Sequence, residues 1–436
     1  MENRETIEVE DLGGEMERPA YTQEPAKRKK DGFRKGFASG VAASLAAVLI
    51  LGAVGSMVLT SNGYVITTFK PDKNLTGGIL SEQVETKLSE ILGALSAYYY
   101  DEVDQKEAAE GLYAGLVDSL GDPYSRYFTQ EEYQDYLNSS NGTYYGIGAV
   151  LTQNTQTGEI SIVRVYDGSP AQEAGLKAGD VFVCADEFEA EGSDLSEFVT
   201  HVKGDEGTTV ELTMIRDGKE KVFTVERRKV EVPTVEHQML QGNTGYIQIL
   251  EFDAVTTDQF ETALEDLQKQ GMTSLIVDLR DNPGGMVTCV TDILDIILPK
   301  GLLVYTQDKD GNKKEYKSDK NELGLPLAVL VNENSASASE IFAGAVKDYG
   351  YGTIIGTTTF GKGIVQVLTP LSDGSAIKVT TAKYFTPNGN YIHGVGIDPD
   401  IELEFEYQGD EGEEYDIMKD NQVQKALEVL GQESAQ

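Results

Sequence analysis

The longest uninterrupted hydrophobic stretch of the chain lies near its start. From Phe37 to Thr60 no charged residue occurs, and Ala, Val, Leu and Gly dominate. That run exceeds the roughly 20 residues a helix needs to cross a hydrocarbon core. Residues 1–36 before it are polar and end in the basic cluster Lys27, Arg28, Lys29, Lys30, Arg34 and Lys35. The pattern predicts a cytoplasmic tail over 1–36 and a single anchor over 37–60, with the rest of the chain outside the cytoplasm at the cell membrane. A cleaved signal peptide fits less well, because the apolar run is too long and no A-x-A site ends it. Residues 61–77 read as a tether. Over 78–140 the apolar positions Leu80, Val84, Leu88, Ile91, Leu92 and Leu95, then Leu112, Leu116 and Leu120, recur at helical spacing. Gly121-Asp122-Pro123-Tyr124 breaks that pattern, and Thr129 with Glu132 predicts a capping box for a further helix.

Short alternating segments then predict a compact module over 144–228. Strands are expected at Ser161–Val165, Val181–Val183, Thr209–Arg216 and Lys221–Arg227, with a short helix after Ser169-Pro170 and an amphipathic one near Leu195–Val202. With its Tyr145-Gly146-Ile147-Gly148 turn, the S-P-A-x-x-A-G-L run and the Gly179-Asp180 turn, the module resembles a PDZ domain. The resemblance implies a loop, Tyr145 to Gly148, that holds a peptide's terminal carboxylate on backbone N–H groups beside a groove that takes the peptide as an added strand.

Strands and helices alternate over 233–405, which predicts an α/β core with a mainly parallel sheet. Residues 406–436 read as an acidic segment and a closing helix with Val423, Leu427 and Leu430 on one side. The formal net charge of −37 excludes a nucleic-acid partner, since phosphates require a basic surface. Cys184 and Cys289 predict free thiols. They and the three histidines (His201, His237, His393) lack ligand spacing, so neither metal nor cofactor is expected.

Two runs carry candidate chemistry. Asn334-Ser335-Ala336-Ser337-Ala338-Ser339-Glu340 puts hydroxyls between a strand pattern, Leu327–Val331, and a helical one. A serine there is exposed beside helix N–H groups that favour a developing oxyanion. Phe360-Gly361-Lys362-Gly363 flanks one lysine with glycines, and a desolvated lysine loses its proton readily. Together they suggest a serine activated by lysine. The plainer alternative is a capping cluster and a turn.

Six motifs follow one another in a recognisable order. They are Gly121-Asp122-Pro123-Tyr124-Ser125, the PDZ-like module, Asp278-Leu279-Arg280-Asp281-Asn282-Pro283-Gly284-Gly285, Ser335 to Glu340, Phe360 to Gln366, and Thr386-Pro387-Asn388-Gly389. From about Ile79 to Leu430 the chain resembles the carboxyl-terminal processing peptidases, or tail-specific proteases. The resemblance implies a crotonase-like α/β protease core, an inserted PDZ domain and an N-terminal helical region. It makes Ser337 the nucleophile, Lys362 the general base and Gln366 the residue that orients the lysine. It draws the oxyanion hole from backbone N–H groups at Gly284, Gly285 and Ala338. It further implies a serine endopeptidase acting on proteins or peptides with exposed C-terminal tails, in some relatives gated by movement of the PDZ domain. Relatives often carry arginine where this chain has Lys203. Lys362 needs a folded pKa well below the ordinary lysine value, which burial in an uncharged pocket would supply. A straight strand from Lys362 to Gln366 covers about 13 Å, so contact between them requires a bend at Gly363. A homodimer and a monomer both remain open. The competing readings are an inactive PDZ peptide-binding scaffold, a Ser–His–Asp site using His393 without a G-x-S-x-G motif, and a thioester enzyme on a crotonase-type fold.

Overall fold

The computed structural model describes residues 77–319, 322–410, 413 and 415–433. The expected tail, the anchor over 37–60 and nearly all of the tether lie outside the described residues. Among the described residues no helix is long and apolar enough to cross a membrane. The chain divides into two units after Val103. The first contributes helix α1 (Glu82–Tyr98), which carries Leu88, Ile91, Leu92 and Leu95 at the predicted spacing.

The second unit opens with α2 (Gln105–Asp118), whose first turn is capped by the Asp104 carboxylate accepting from the N–H groups of Lys106 and Glu107. Strand β1 (Arg126–Phe128) and helix α3 (Gln130–Ser140) follow. The expected capping box is formed. The Glu132 N–H donates to Thr129 Oγ1 at 3.3 Å, and the Thr129 N–H donates to Glu132 Oε2 at 2.9 Å.

Next come β2 (Thr143–Gly146), β3 (Ala149–Gln153), β4 (Ile160–Val165), α4 (Pro170–Glu173), β5 (Val181–Ala185) and β6 (Phe188–Glu189). Helix α5 (Leu195–Val202), β7 (Thr209–Arg216), β8 (Lys219–Glu226) and β9 (Arg228–Glu231) complete the module. Its sheet runs β3-β4-β5-β7-β8 with β6 beside β5. Helix α5 closes the core by burying Phe198 and Val202, one turn apart, with Ile147, Ile162, Phe182 and Leu212. Strands β2 and β9 pair antiparallel, so the chain enters and leaves the module through one two-stranded ribbon.

The rest of the chain forms β10 (Val235–Leu240), β11 (Thr244–Ile249), α6 (Thr256–Lys269), β12 (Ser274–Asp278), α7 (Val287–Ile297), β13 (Gly301–Asp308) and β14 (Lys313–Ser318). Then come β15 (Leu327–Val331), α8 (Ala338–Tyr349), β16 (Gly352–Gly356), β17 (Ile364–Pro370), β18 (Ala376–Phe385), β19 (Ile401–Glu402) and α9 (Asn421–Glu433). The main sheet, β10-β11-β12-β15-β16-β19, is parallel except for its β10 edge. Its central strands β12 and β15 are buried at every position because both faces are covered. In β15, Leu327, Val329 and Val331 face the core that holds Phe260, Ile293 and Phe342, while Ala328 and Leu330 face Val423, Ala426 and Leu430 of α9.

Two expectations change here. The closing helix is no appendage to a core ending at 405; α9 is the layer that covers the second face of the main sheet. The core is also not one mainly parallel sheet. Strands β1, β13, β14, β17 and β18 form a second, antiparallel sheet, because β13–β14 and β17–β18 are joined by loops too short for a parallel crossover.

A buried ion network clamps α9 to the end of β12. The Arg280 guanidinium donates to both Asp278 oxygens, to Asp420 Oδ2 at 2.7 Å and to Gln422 Oε1 at 2.9 Å. Tyr246 and Tyr415 hydroxyls complete the two carboxylates. We predict that Arg280→Met, which leaves two fully buried carboxylates without their cation, destabilises the fold by roughly 3–5 kcal/mol. Urea denaturation checks this, and an unchanged midpoint rules the clamp out.

Candidate active site

Three adjacent strands of the main sheet, β12, β15 and β16, run parallel and end at the same edge. In open α/β sheets the loops beyond those carboxyl ends form the binding crevice. Here the β12 loop carries Gly284 and Gly285, the β15 loop carries Ser337, and the β16 loop carries Lys362. The sequence-predicted residues therefore converge by topology.

Of the three serines in the cluster, two are structural. The fully buried Ser335 hydroxyl donates to the Leu279 carbonyl at 2.7 Å, and the fully buried Ser339 hydroxyl donates to the Asn282 carbonyl at 3.0 Å. Ser337 is partly exposed and sits just before α8 with φ 55° and ψ −109°. Positive φ is unfavourable for a residue with a Cβ, and such strain persists only where the surroundings over-determine it. They do so here. The Ser337 N–H donates to Glu340 Oε2 at 2.9 Å, its carbonyl accepts from the Glu340 and Ile341 N–H groups, and the buried Tyr384 hydroxyl donates to that carbonyl at 3.0 Å.

Glu340 is the residue that sequence reasoning quoted without giving it a role. It is fully buried and accepts four hydrogen bonds. Oε2 takes the backbone N–H groups of Ser337 and of Lys362 (2.8 Å), and Oε1 takes Thr359 Oγ1 (2.6 Å) and the Gly361 N–H (2.7 Å). One oxygen thus holds the backbones of the candidate nucleophile and the candidate base no further apart than two hydrogen bonds end to end. A glutamate three residues after a helix-start serine is the capping-box signal that could have found it.

The glycine loop fits tightly against Ser337. A Cβ at Gly284, φ 104°, would lie 2.6 Å from the Ala336 carbonyl oxygen and 2.8 Å from Ser337 Cβ. The fully buried Asn282 fixes this loop, donating to the Ile249 carbonyl and accepting from the Gly284 N–H at 2.8 Å. That bond corrects one expectation. The Gly284 N–H is already engaged, and of the three expected donors those of Gly285 and Ala338 make no hydrogen bond to the described residues.

Lys362 is half-buried, with Nζ 4.8 Å from the centroid of the Tyr124 ring. Burial pushes its pKa below the ordinary value of 10.5, while the nearby Glu340 and Asp122 charges oppose that shift. The pocket is therefore not uncharged; its carboxylates come from distant parts of the sequence. Asp122 and Tyr124 belong to the Gly-Asp-Pro-Tyr-Ser turn, where Asp122 accepts from the Ser125 hydroxyl at 2.6 Å. The Ser125 hydroxyl oxygen in turn accepts the Thr380 N–H. His393 packs edge-on to Tyr124, its ring 6.5 Å away.

Gln366 is not brought onto Lys362. A bulge between Val365 and Gln366 resets the β17–β18 register, and the Gln366 side-chain amide donates to Thr380 Oγ1 at 3.2 Å. Among the described residues no hydrogen bond joins Gln366 to Lys362. In the PDZ-like module, Tyr145 is exposed and Gly146 ends β2. Ile147 is buried with its carbonyl accepting the Ala171 N–H at 2.7 Å, and Gly148 has φ 80° against Ser169. Among the described residues no group of three or more His, Cys, Asp or Glu could hold a metal.

Comparisons with known proteins show the family and its domains. The profile of peptidase family S41 matches residues 243–403, that of the PDZ domain residues 145–226, and that of the activating protease CtpB N-terminal domain residues 50–132. A probable CtpA-like serine protease of Staphylococcus epidermidis is 35% identical over 359 residues, covering 81% of this chain and 72% of that protein. Its counterpart in Staphylococcus aureus is 33% identical, covering 80% and 71%. Among solved structures, the photosystem II D1 C-terminal processing protease is 28% identical with a TM-score of 0.43, covering 75% of this chain and 88% of that one.

Glu340→Gln keeps the size of the side chain but sets an NH₂ group against two of the four donors. We predict a fall in kcat/KM on an unstructured peptide of roughly a hundredfold or more, the scale of a small misplacement of reacting groups, with the circular dichroism spectrum retained. Full activity in this variant excludes the carboxylate as the organiser of the site.

Proposed function

We propose the following division of labour in a chain that belongs to peptidase family S41 and is a serine-type carboxyl-terminal processing peptidase with a PDZ domain. Ser337 is the nucleophile and Lys362 the general base, and the observation that carries this is the single Glu340 oxygen accepting both of their backbone N–H groups. Neutral Lys362 takes the Ser337 hydroxyl proton as the oxygen attacks the scissile carbonyl carbon. The resulting oxyanion faces the unused N–H groups of Gly285 and Ala338, at the positive end of α8. The lysine ammonium then gives its proton to the leaving amine, and the C–N bond breaks to leave an ester on Ser337. A water molecule, deprotonated by the same lysine, hydrolyses that ester and restores the enzyme.

Tyr124 and Asp122 keep the lysine in place between turnovers, and Gln366 braces the strand after the lysine through its bond to Thr380. The substrate is a protein or peptide whose exposed C-terminal tail is held by the Tyr145-Gly146-Ile147-Gly148 loop and lies along the groove of the PDZ domain. The hydrophobic run over 37–60 and the basic cluster before it support anchorage in the cell membrane with the catalytic part outside the cytoplasm.

Both Ser337→Ala and Lys362→Ala are expected to lower kcat by roughly a thousandfold or more, with His393→Ala affecting it far less; the reverse order returns the base to histidine. In the wild type, kcat/KM is expected to rise with pH, because the neutral amine is the active form, through a midpoint below 10.5. A rate independent of pH across the approach to that value removes lysine as the base. For the anchor, protease added to intact spheroplasts is expected to digest a C-terminal tag and spare an N-terminal one. Protection of the C-terminal tag reverses the assigned orientation.

A further inference from the structure

The Thr386-Pro387-Asn388-Gly389 turn folds the chain back on itself. Its Gly389 N–H donates to the Thr386 carbonyl at 2.8 Å, and beyond it Tyr391 pairs antiparallel with Phe385, the last residue of β18. The returning segment then runs beside the loop that carries Lys362. There the Gly394 N–H donates to the Gly361 carbonyl at 2.8 Å, and a Cβ at Gly363 would lie 2.7 Å from the His393 backbone nitrogen.

This fold-back lines up five rings. Tyr305 of β13 is the register partner of Phe385, and the two rings stack with centroids 4.9 Å apart and planes 8° apart. Phe385 lies 5.4 Å from Tyr391, Tyr391 lies 6.1 Å from His393, and His393 lies 6.5 Å from Tyr124. Tyr124 is the ring against Lys362 Nζ. His393 is exposed and the other four are partly exposed, whereas Tyr384, between Lys383 and Phe385, points into the core. Two exposed lysines border the row. Lys313 Nζ sits 4.3 Å from the Tyr305 centroid, and Lys383 Nζ sits 4.9 Å from that of Tyr391. Glu315, opposite Tyr305 on β14, is ion-paired with Lys317, which leaves Lys313 and Lys383 without an ion pair among the described residues.

A continuous exposed row of rings marks a surface that another chain covers. We propose that this row is a track for the substrate polypeptide flanking the scissile bond, and that it favours segments carrying both aromatic and acidic side chains. Continuity with the active site selects the occupant: the row ends on the ring that lies against the general base, so a chain lying along it is led to Ser337. Charge selects the sequence. An acidic segment is repelled by most of a chain of net charge −37, and the unpaired ammonium groups of Lys313 and Lys383 receive it here, while the ring faces take its aromatic side chains. This inference rests on the placement of the catalytic pair at Ser337 and Lys362, and it adds the sequence preference around the bond that is cut.

The test is cleavage kinetics with the full chain in detergent. The peptides share one cleaved core and one C-terminal end, so that capture by the PDZ domain is equal. Each carries an extension of roughly six residues built from Phe and Glu, from Phe and Lys, or from Gly and Ser, placed before the core in one set and after it in another. Cutting at the core bond is read by mass spectrometry. On one side of the core, the Phe–Glu extension is expected to raise the wild-type kcat/KM roughly five- to twentyfold over Gly–Ser, the scale of a few exposed ring and ion-pair contacts, with Phe–Lys raising it less. The double variant Lys313→Glu/Lys383→Glu is expected to invert that order, so that Phe–Lys outruns Phe–Glu. A ratio between peptides cancels any general loss of activity, and a merely structural role for the two lysines does not invert it. If the wild type treats all three extensions alike on both sides, or if the double variant keeps the wild-type order, the track is overturned and the catalytic pair stands. If Ser337→Ala cuts the Gly–Ser peptide as fast as the wild type, the pair and the track fall together.

Discussion

A buried carboxylate that gives up no hydrogen bond and receives four is the constraint on which the catalytic end of this protein depends. An ionised glutamate has acceptor sites for four donors and no proton of its own to place. Glu340 fills those sites with three backbone N–H groups and one hydroxyl. Each donor lies on a segment that would otherwise be free to move: the turn into α8, and the loop after β16. The carboxylate is tolerated at zero exposure only while all four partners are present, because an unpaired buried charge is far more costly than a paired one. The same condition holds Ser337 in its left-handed backbone conformation. The strain at the serine and the desolvation of the glutamate are thus met by one set of bonds.

The arrangement also sets the electrostatics of the lysine from two sides. Burial disfavours the ammonium, while Glu340 and Asp122 favour it. The net result is a pKa lowered by burial. In the proposed mechanism the lysine must accept a proton and then give it back to the leaving group, so it needs both forms within reach. The Tyr124 face stabilises the charged form by its quadrupole and excludes water from the same side. A turn more than 200 residues upstream in sequence therefore helps form the surroundings of Lys362.

Much of this was legible in the chain. Three of the six motifs marked the loops that the parallel strands bring together, and the Thr129–Glu132 box and the order of elements in the PDZ domain were readable from local rules. What could not be read was long-range pairing. Nothing near Lys362 in sequence announces Glu340 or Asp122, so the pocket was expected to be uncharged. The family resemblance placed Gln366 at the lysine by way of a bend at Gly363; instead a bulge between Val365 and Gln366 sets it opposite Thr380, to which its amide donates. Gly284 was expected to offer its N–H, and only the structure shows Asn282 taking it. Strands β14, β17 and β18 mix polar and apolar positions and are partly exposed, unlike the fully buried β12 and β15, yet each reads locally only as a strand. Loop length, more than composition, decides that they form a separate antiparallel sheet.

The ribbon of β2 and β9 has a wider meaning. At its base the Val232 N–H donates to the Gly142 carbonyl at 2.8 Å, so the two points where the PDZ domain is spliced into the catalytic chain almost touch. To the catalytic core, everything between those points is a single closed loop, and the entropy of closing a loop grows only slowly with its length. The core can therefore carry a peptide-reading cassette of any size at that seam, or exchange one for another, without altering the distance its own two halves must span.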